Sequence, residues 1–275
     1  MARLFERLWA DGARTLVMGV VNVTPDSFSD GGCHADVASA VAHAARLFAE
    51  GADLLDVGGE STRPGAAPVD AAEELDRVLP VVAALAPLGV PLSIDTYKAE
   101  VAEAALVKGA ALINDISGGA LDPGILSVAA RHGAPIVLGH LRGTPATMMD
   151  HIAFADVVAE VGDELAGRVR AAQQAGVHEI WVDPGLGFGK GTRENLALLG
   201  GLGTLGARLG RPLVVGASRK RFLGELTGLP AAERAAPSAV AAALSGFLGA
   251  HVVRVHDVAV TRQALAVADA VRRAR

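Results

Sequence analysis

Short apolar runs that end in a small or polar residue recur along the chain, and stretches of helical amphipathic period usually follow them. The runs cover 16–22, 53–58, 91–95, 111–115, 135–140, 180–183, 212–218 and 252–256. Runs this short, rich in Val, Ile and Leu, predict buried strands. Between them, Val37, Val41, Ala45 and Phe48 fall on one helical face behind Asp36, a good N-cap, and ahead of Gly51, a stop. Leu75, Val78, Leu79, Val82 and Leu85 repeat the pattern after Asp70, and 153–175 and 258–272 give two further amphipathic helices. Arg272, Arg273 and Arg275 lie near the last helix end, where the helix dipole favours cations.

Alternating strands and helices favour a parallel sheet with crossover helices outside it. Eight such units in 275 residues predict an α/β fold of the (β/α)8 TIM-barrel kind. An open dinucleotide-binding sheet is disfavoured, because the first strand runs into Asn22-Val23-Thr24-Pro25-Asp26 with no G-x-G-x-x-G turn. No linker rich in Pro, Ser or charge divides the chain, so a single domain over 1–275 is expected. A barrel gathers its functional groups at the C-terminal ends of its strands. Here those ends carry Asn22, Asp56, Asp95, Asn114, Asp115, His140, Asp183, Ser218, Lys220, Arg254 and His256.

Composition narrows the function classes. An apolar fraction of 51% supports a sizeable core, and aromatics at 4% suit the small and branched interior of a closed barrel. The formal net charge of -5 offers no basic field for a nucleic-acid partner. No apolar run is long enough to span a bilayer, and the first nine residues lack the apolar segment of a secretory signal. A cytoplasmic protein without a membrane partner is therefore expected. The single cysteine, Cys33, excludes an internal disulfide and a cysteine metal cage.

Asp95, Asn114 and Asp183, facing one cavity, can grip a flat heterocycle rich in N–H donors, since a carboxylate accepts from two neighbouring donors at once. A single strand-end Asp often does no more than cap the next helix; three converging groups point to recognition. Lys220, in Ser218-Arg219-Lys220-Arg221, is either a solvated basic turn or a positive edge over an anion or ring carbonyl. Arg254 and His256 alternate on the eighth run and so project to the same side. At that place in a barrel an Arg–His pair implies a phosphate-bearing substrate. Segments 22–34 and 58–69 are long for βα loops and rich in Gly, Pro, Ser and Thr, which makes them candidate lids. In Asp183-Pro184-Gly185-Leu186-Gly187-Phe188-Gly189-Lys190, glycines free the backbone to approach a ligand and Phe188 is placed to cover a ring. His140 reads as a structural hydrogen bonder before a catalyst. Without H-x-H or H-E-x-x-H spacing a tightly held zinc is not expected, whereas Asn22 with phosphate oxygens could hold a hard cation largely through water.

In order along the chain, Met18-Gly19-Val20-Val21-Asn22-Val23-Thr24-Pro25-Asp26-Ser27-Phe28-Ser29-Asp30-Gly31-Gly32 resembles the first-loop signature of the dihydropteroate synthases. Asp56-Val57-Gly58-Gly59-Glu60-Ser61-Thr62-Arg63-Pro64-Gly65 resembles their second. Ser93-Ile94-Asp95-Thr96, Ile113-Asn114-Asp115-Ile116, the 183–190 segment, Gly216-Ala217-Ser218-Arg219-Lys220-Arg221-Phe222 and Val253-Arg254-Val255-His256-Asp257 complete the set. The resemblance implies that 6-hydroxymethyl-7,8-dihydropterin diphosphate loses pyrophosphate while the amine of para-aminobenzoate bonds to the exposed methylene. It implies a pterin site of Asp95, Asn114, Asp183 and Lys220, and a diphosphate site of Asn22, Arg254 and His256 with Mg2+ near Asn22. Ser61, Thr62, Arg63, Pro64, Phe188, Ser218 and Lys220 would form the para-aminobenzoate side. Asp95, Lys220 and, from the first lid, Asp30 are the implied catalytic residues, and the implied assembly is a homodimer through outer helices. Pterin-binding methyltransferases resemble the chain in barrel and pterin-binding Asp and Asn, but are not expected to carry its STRPG and SRKRF segments. The chain departs from the family at Gly139, where a methionine side chain is expected under the pterin; the pocket there is either looser or filled by a neighbour.

Overall fold

A computed structural model describes residues 4–9, 14–24 and 33–275, with residues 33–36 described by backbone alone. The strands are β1 (Leu16–Asn22), β2 (Leu54–Gly58), β3 (Leu92–Asp95), β4 (Leu112–Asp115), β5 (Ile136–Gly139), β6 (Ile180–Asp183), β7 (Val214–Val215) and β8 (Val252–Val255). All are parallel, in the order β6-β5-β4-β3-β2-β1-β8-β7. A parallel bridge from Val182 to Leu213, with Val182 N–H donating to Pro212 O at 2.9 Å, joins the two end strands and closes the ring. The fold is the predicted (β/α)8 barrel.

Helices α1 (Leu4–Leu8), α2 (Cys33–Ala49), α3 (Ala71–Leu85), α4 (Ala99–Val107), α5 (Gly124–His132), α6 (Val157–Gln174), α7 (Thr192–Gly200), α8 (Leu202–Leu209), α9 (Arg221–Thr227), α10 (Ala235–Phe247) and α11 (Val258–Arg273) accompany the strands. Among the described residues no helix is long and apolar enough to cross a membrane. Asp70 caps α3 as expected, its carboxylate accepting from Glu73 N–H at 2.8 Å. Two helices differ from the sequence expectation. Helix α2 opens at Cys33, so Asp36 lies inside it, and its buried face is Ala40, Ala44 and Leu47, while Ala45 and Phe48 point outward. The cause lies on β1: a Cβ at Gly19 would come within 3.1 Å of the Leu47 side chain, so the helix rides close to the strand and presents alanines to it. Helix α6 begins at Val157 rather than near 153, because Asp156 accepts from both Val158 and Ala159 N–H at 3.0 Å and fixes the start.

Leu16, Met18, Leu54, Leu112, Val137, Trp181, Val214 and Val252 fill the lower barrel, and α1 plugs the end beneath them with Leu4, Phe5, Leu8 and Trp9. Glu179 ties the plug down by accepting from the N–H groups of Leu4 and Phe5 and from Trp181 Nε1, at 2.7–2.9 Å. The lower interior of the barrel is thus apolar and closed by the plug.

Gly139 leaves no gap. A Cβ there would lie 2.7 Å from Ile116 Cα and carbonyl oxygen and 2.8 Å from Asp115 O, so the backbone after β4 occupies the expected side-chain space. Replacing Gly139 by Ala should therefore destabilise the protein by about 1–3 kcal/mol through overpacking. Urea unfolding measures this, and an unchanged midpoint would mean that the segment after β4 yields freely.

Candidate active site

Strand register brings the polar strand ends into rows. Asn22, Gly58, Asp95 and Asn114 lie shoulder to shoulder across β1–β4. Gly58 contributes no side chain to the row; a Cβ there would be 3.3 Å from that of Asp95. One layer lower run Val20, Asp56 and Ser93.

Arg254 reaches across from β8 and joins the layers. Its Nε donates to Asp56 Oδ2 and its Nη2 to Asp95 Oδ2, both at 2.5 Å. Asp56 Oδ2 also accepts from Asn114 Nδ2 at 3.0 Å. Burial drives the Asp95 carboxyl up to about 7; Arg254 opposes that rise and Asp56 adds to it. Burial also raises Asp183, whose Oδ1 accepts from Gly185 N–H at 2.7 Å. Lys220, at the end of the β7 loop, is pushed down to about 8 by burial, against the pull of Asp183. Its ammonium sits 3.8 Å over the Phe188 ring centroid. It is half-buried against the site rather than a solvated turn.

The loop carrying Lys220 is held in a strained shape. Arg219 has φ +57°, and among the described residues it is the one non-glycine in the left-handed region. Asp257 grips its guanidinium through two oxygens at 2.7 and 3.0 Å, and its N–H donates to Ser238 Oγ at 2.9 Å. Ser218 is thereby turned toward β8, where its Oγ accepts from His256 N–H at 3.2 Å and meets Nδ1 at 3.0 Å. Burial, then Arg254, pushes His256 down to about 3, so its imidazole is neutral and keeps one ring N–H as a hydrogen-bond donor.

Lys190 escaped sequence reasoning as a functional residue. It is buried, and its Nζ donates to Gly185 O at 3.0 Å and Phe188 O at 2.9 Å while meeting His140 Nδ1 at 3.0 Å. It shapes the loop that places Phe188. Gly187 completes that placement: its φ is +78°, and a Cβ would come within 2.5 Å of Lys220 Cδ. His140 Nε2 pairs with Glu164 at 3.0 Å, and burial with Lys190 pushes its imidazole down to about 2, as suits a structural hydrogen bonder. The available signal for Lys190 was a cation closing a glycine-rich loop.

The second candidate lid joins β2 to α3. Its base is clamped at Glu60, which accepts from Tyr97 Oη at 2.9 Å and pairs with Lys98; Lys98 also pairs with buried Glu74. Gly65 N–H donates to Pro145 O at 3.1 Å, joining the tip to the loop after β5. Ser61 and Thr62 are half-buried, Arg63 and Pro64 exposed, and none forms a described hydrogen bond to the mouth residues. Asp30 and most of the first lid lie outside the described residues. Among the described residues no group of three His, Cys, Asp or Glu could hold a metal. The arrangement offers carboxylates and a carboxamide to ring donors, and beside them a guanidinium and a neutral imidazole to an anion.

Comparison with known proteins agrees with this geometry. The model of the family described as pterin binding enzyme matches residues 18–256. A dihydropteroate synthase of Synechocystis is 45% identical over 94% of this chain and 91% of its own length. A folate synthesis bifunctional protein of Pisum sativum is 42% identical over 94% of this chain, which spans 53% of that longer protein. The Xanthomonas albilineans dihydropteroate synthase structure with 4-aminobenzoic acid superposes with a TM-score of 0.88 at 50% identity, covering 94% of this chain and 93% of that one. With eight parallel strands in one ring, the matched family model and these identities, the chain belongs to the pterin-binding enzymes and, among them, to the dihydropteroate synthases.

Proposed function

We propose that this chain condenses 6-hydroxymethyl-7,8-dihydropterin diphosphate with para-aminobenzoate to give 7,8-dihydropteroate and pyrophosphate, by an SN1-like displacement. The carrying observation is the junction in which Arg254 bridges Asp56 and Asp95 beside Asn114, since it sets ring acceptors and an anion donor side by side. Asp95, Asn114, Asp183 and Lys220 hold the pterin, and Arg254 and His256 the diphosphate. The diphosphate departs with the electron pair of the C–O bond, leaving a methylene cation conjugated to the ring and faced by the Asp95 carboxylate. The amine lone pair of para-aminobenzoate then forms the C–N bond and its proton goes to solvent. Phe188, Ser218 and the 61–64 segment flank the aminobenzoate, and the lids, Asp30 among them, keep water from the cation.

Mg2+ is the expected cofactor. One protein oxygen at Asn22 fits an ion that keeps much of its water and binds phosphate oxygens, and it would supply charge neutralisation on the leaving group. We place the enzyme in the cytoplasm, without nucleic-acid or membrane partners, and as a homodimer. The dimer reading is supported by α10 and α11, which pack together and expose Val240, Leu244, Val267 and Val271, paired at i,i+4 along each helix.

Pyrophosphate release should require the pterin diphosphate and Mg2+ and be coupled to dihydropteroate formation. Arg254→Ala should lower kcat/KM by about a hundredfold or more, the scale of losing a donor to developing negative charge. Near-normal release in that variant would move the diphosphate elsewhere. Asp95 must be a carboxylate to act, and it protonates below about 7. kcat/KM for the pterin diphosphate should therefore fall as pH drops through that region, and a flat profile would remove the carboxylate from the mechanism. Leu244→Glu combined with Val267→Glu should give monomer by light scattering; a persisting dimer would exclude this face.

A further inference from the structure

We propose that Asp56 is a positioning residue that couples pterin recognition to diphosphate binding by holding Asn114 and Arg254 on one carboxylate oxygen. The inference rests on the proposed reaction. Asp56 is fully buried, and its Oδ2 takes both donors while Oδ1 has no partner among the described residues. A buried carboxylate spent in this way is unfavourable unless both donors need a common anchor. Each donor gains a defined orientation from it. With its amide N–H directed down to Asp56, Asn114 turns its carbonyl oxygen away from that carboxylate. With Nε on Asp56 and Nη2 on Asp95, Arg254 keeps Nη1, unpaired among the described residues, for an incoming oxyanion. Asp56 itself lies one layer beneath the row of Asp95 and Asn114, so it acts on substrate through Asn114 and Arg254.

The test separates the two fragments of the substrate. By calorimetry, 6-hydroxymethylpterin and Mg2+–pyrophosphate are titrated separately into wild type and Asp56→Asn. Wild type should bind both; binding of neither would sink the proposed reaction itself. In Asp56→Asn both affinities should fall about tenfold, the scale of one lost charge-assisted hydrogen bond. Loss of one alone, or of neither, overturns the coupling. A pH profile distinguishes positioning from general loosening. Asp95 faces Arg254, Asp56, Glu74 and Lys220, and the Asp56 charge helps hold its carboxyl up. Removing that charge should move the acid limb of kcat/KM to lower pH, whereas loosened packing lowers the whole curve without moving the limb and counts against the proposal. If Asp56→Asn does not fold, Asn114→Ala carries the test. A change of about fivefold in pyrophosphate affinity sustains the coupling, and an unchanged affinity overturns it.

Discussion

The site depends on one half-buried guanidinium held between two carboxylates. Arg254 is a cation taken out of water, and desolvation of that size is tolerable only when paired charges and hydrogen bonds offset it. Asp56 and Asp95 supply both, and their fields outweigh burial so that Arg254 stays charged. The pairing also constrains the carboxylates: Asp56 cannot turn without releasing Asn114, and Asp95 cannot leave Arg254 without losing its nearest counter-charge. Residues from β2, β3, β4 and β8 are thereby locked into one unit at the barrel mouth.

The rest of the fold serves that unit. An apolar lower barrel closed by α1 leaves polar groups one open end, so the buried charges gather there. The loops after β6 and β7 set the opposite wall, and each relies on an unusual local feature. A buried lysine, Lys190, organises the first by filling carbonyl acceptors, and a left-handed arginine, Arg219, bends the second and is held by Asp257. Phe188 and Lys220 meet because both loops are fixed.

Much of this was legible in the sequence, for a physical reason. Parallel strands buried on both faces write themselves as apolar runs, and a barrel gathers inward polar groups at its strand ends, so the eight strands and Asp95, Asn114, Asp183, Arg254 and His256 could be named from pattern and signature. His140 and Asp115, at other strand ends, serve local hydrogen bonds. Pairing was not legible. Nothing in the spacing of Asp56, Asn114 and Arg254 says that they share one oxygen, because the closure of the ring creates that contact. Nor did the sequence place the buried face of α2, which follows from the absence of a side chain at Gly19. Gly139 appeared as a deletion under the pterin, whereas the backbone of Ile116 takes up the space.

The charges at the mouth carry the reading one step further. Asp56, Asp95 and Asp183 stand against Arg254 and Lys220, and His256 adds no positive charge because burial keeps it neutral. A diphosphate arriving here meets hydrogen-bond donors in good position but no surplus of positive charge. Two routes could meet that deficit: a proton on Asp95, whose carboxyl titrates near 7, or a cation carried in with the phosphates. The first would remove the carboxylate that the proposed mechanism sets against the developing methylene cation. The second leaves Asp95 ionised and needs little from the protein beyond an oxygen such as that of Asn22. The same carboxylate thus favours substrate that enters as its metal complex, which is the physical ground for proposing Mg2+.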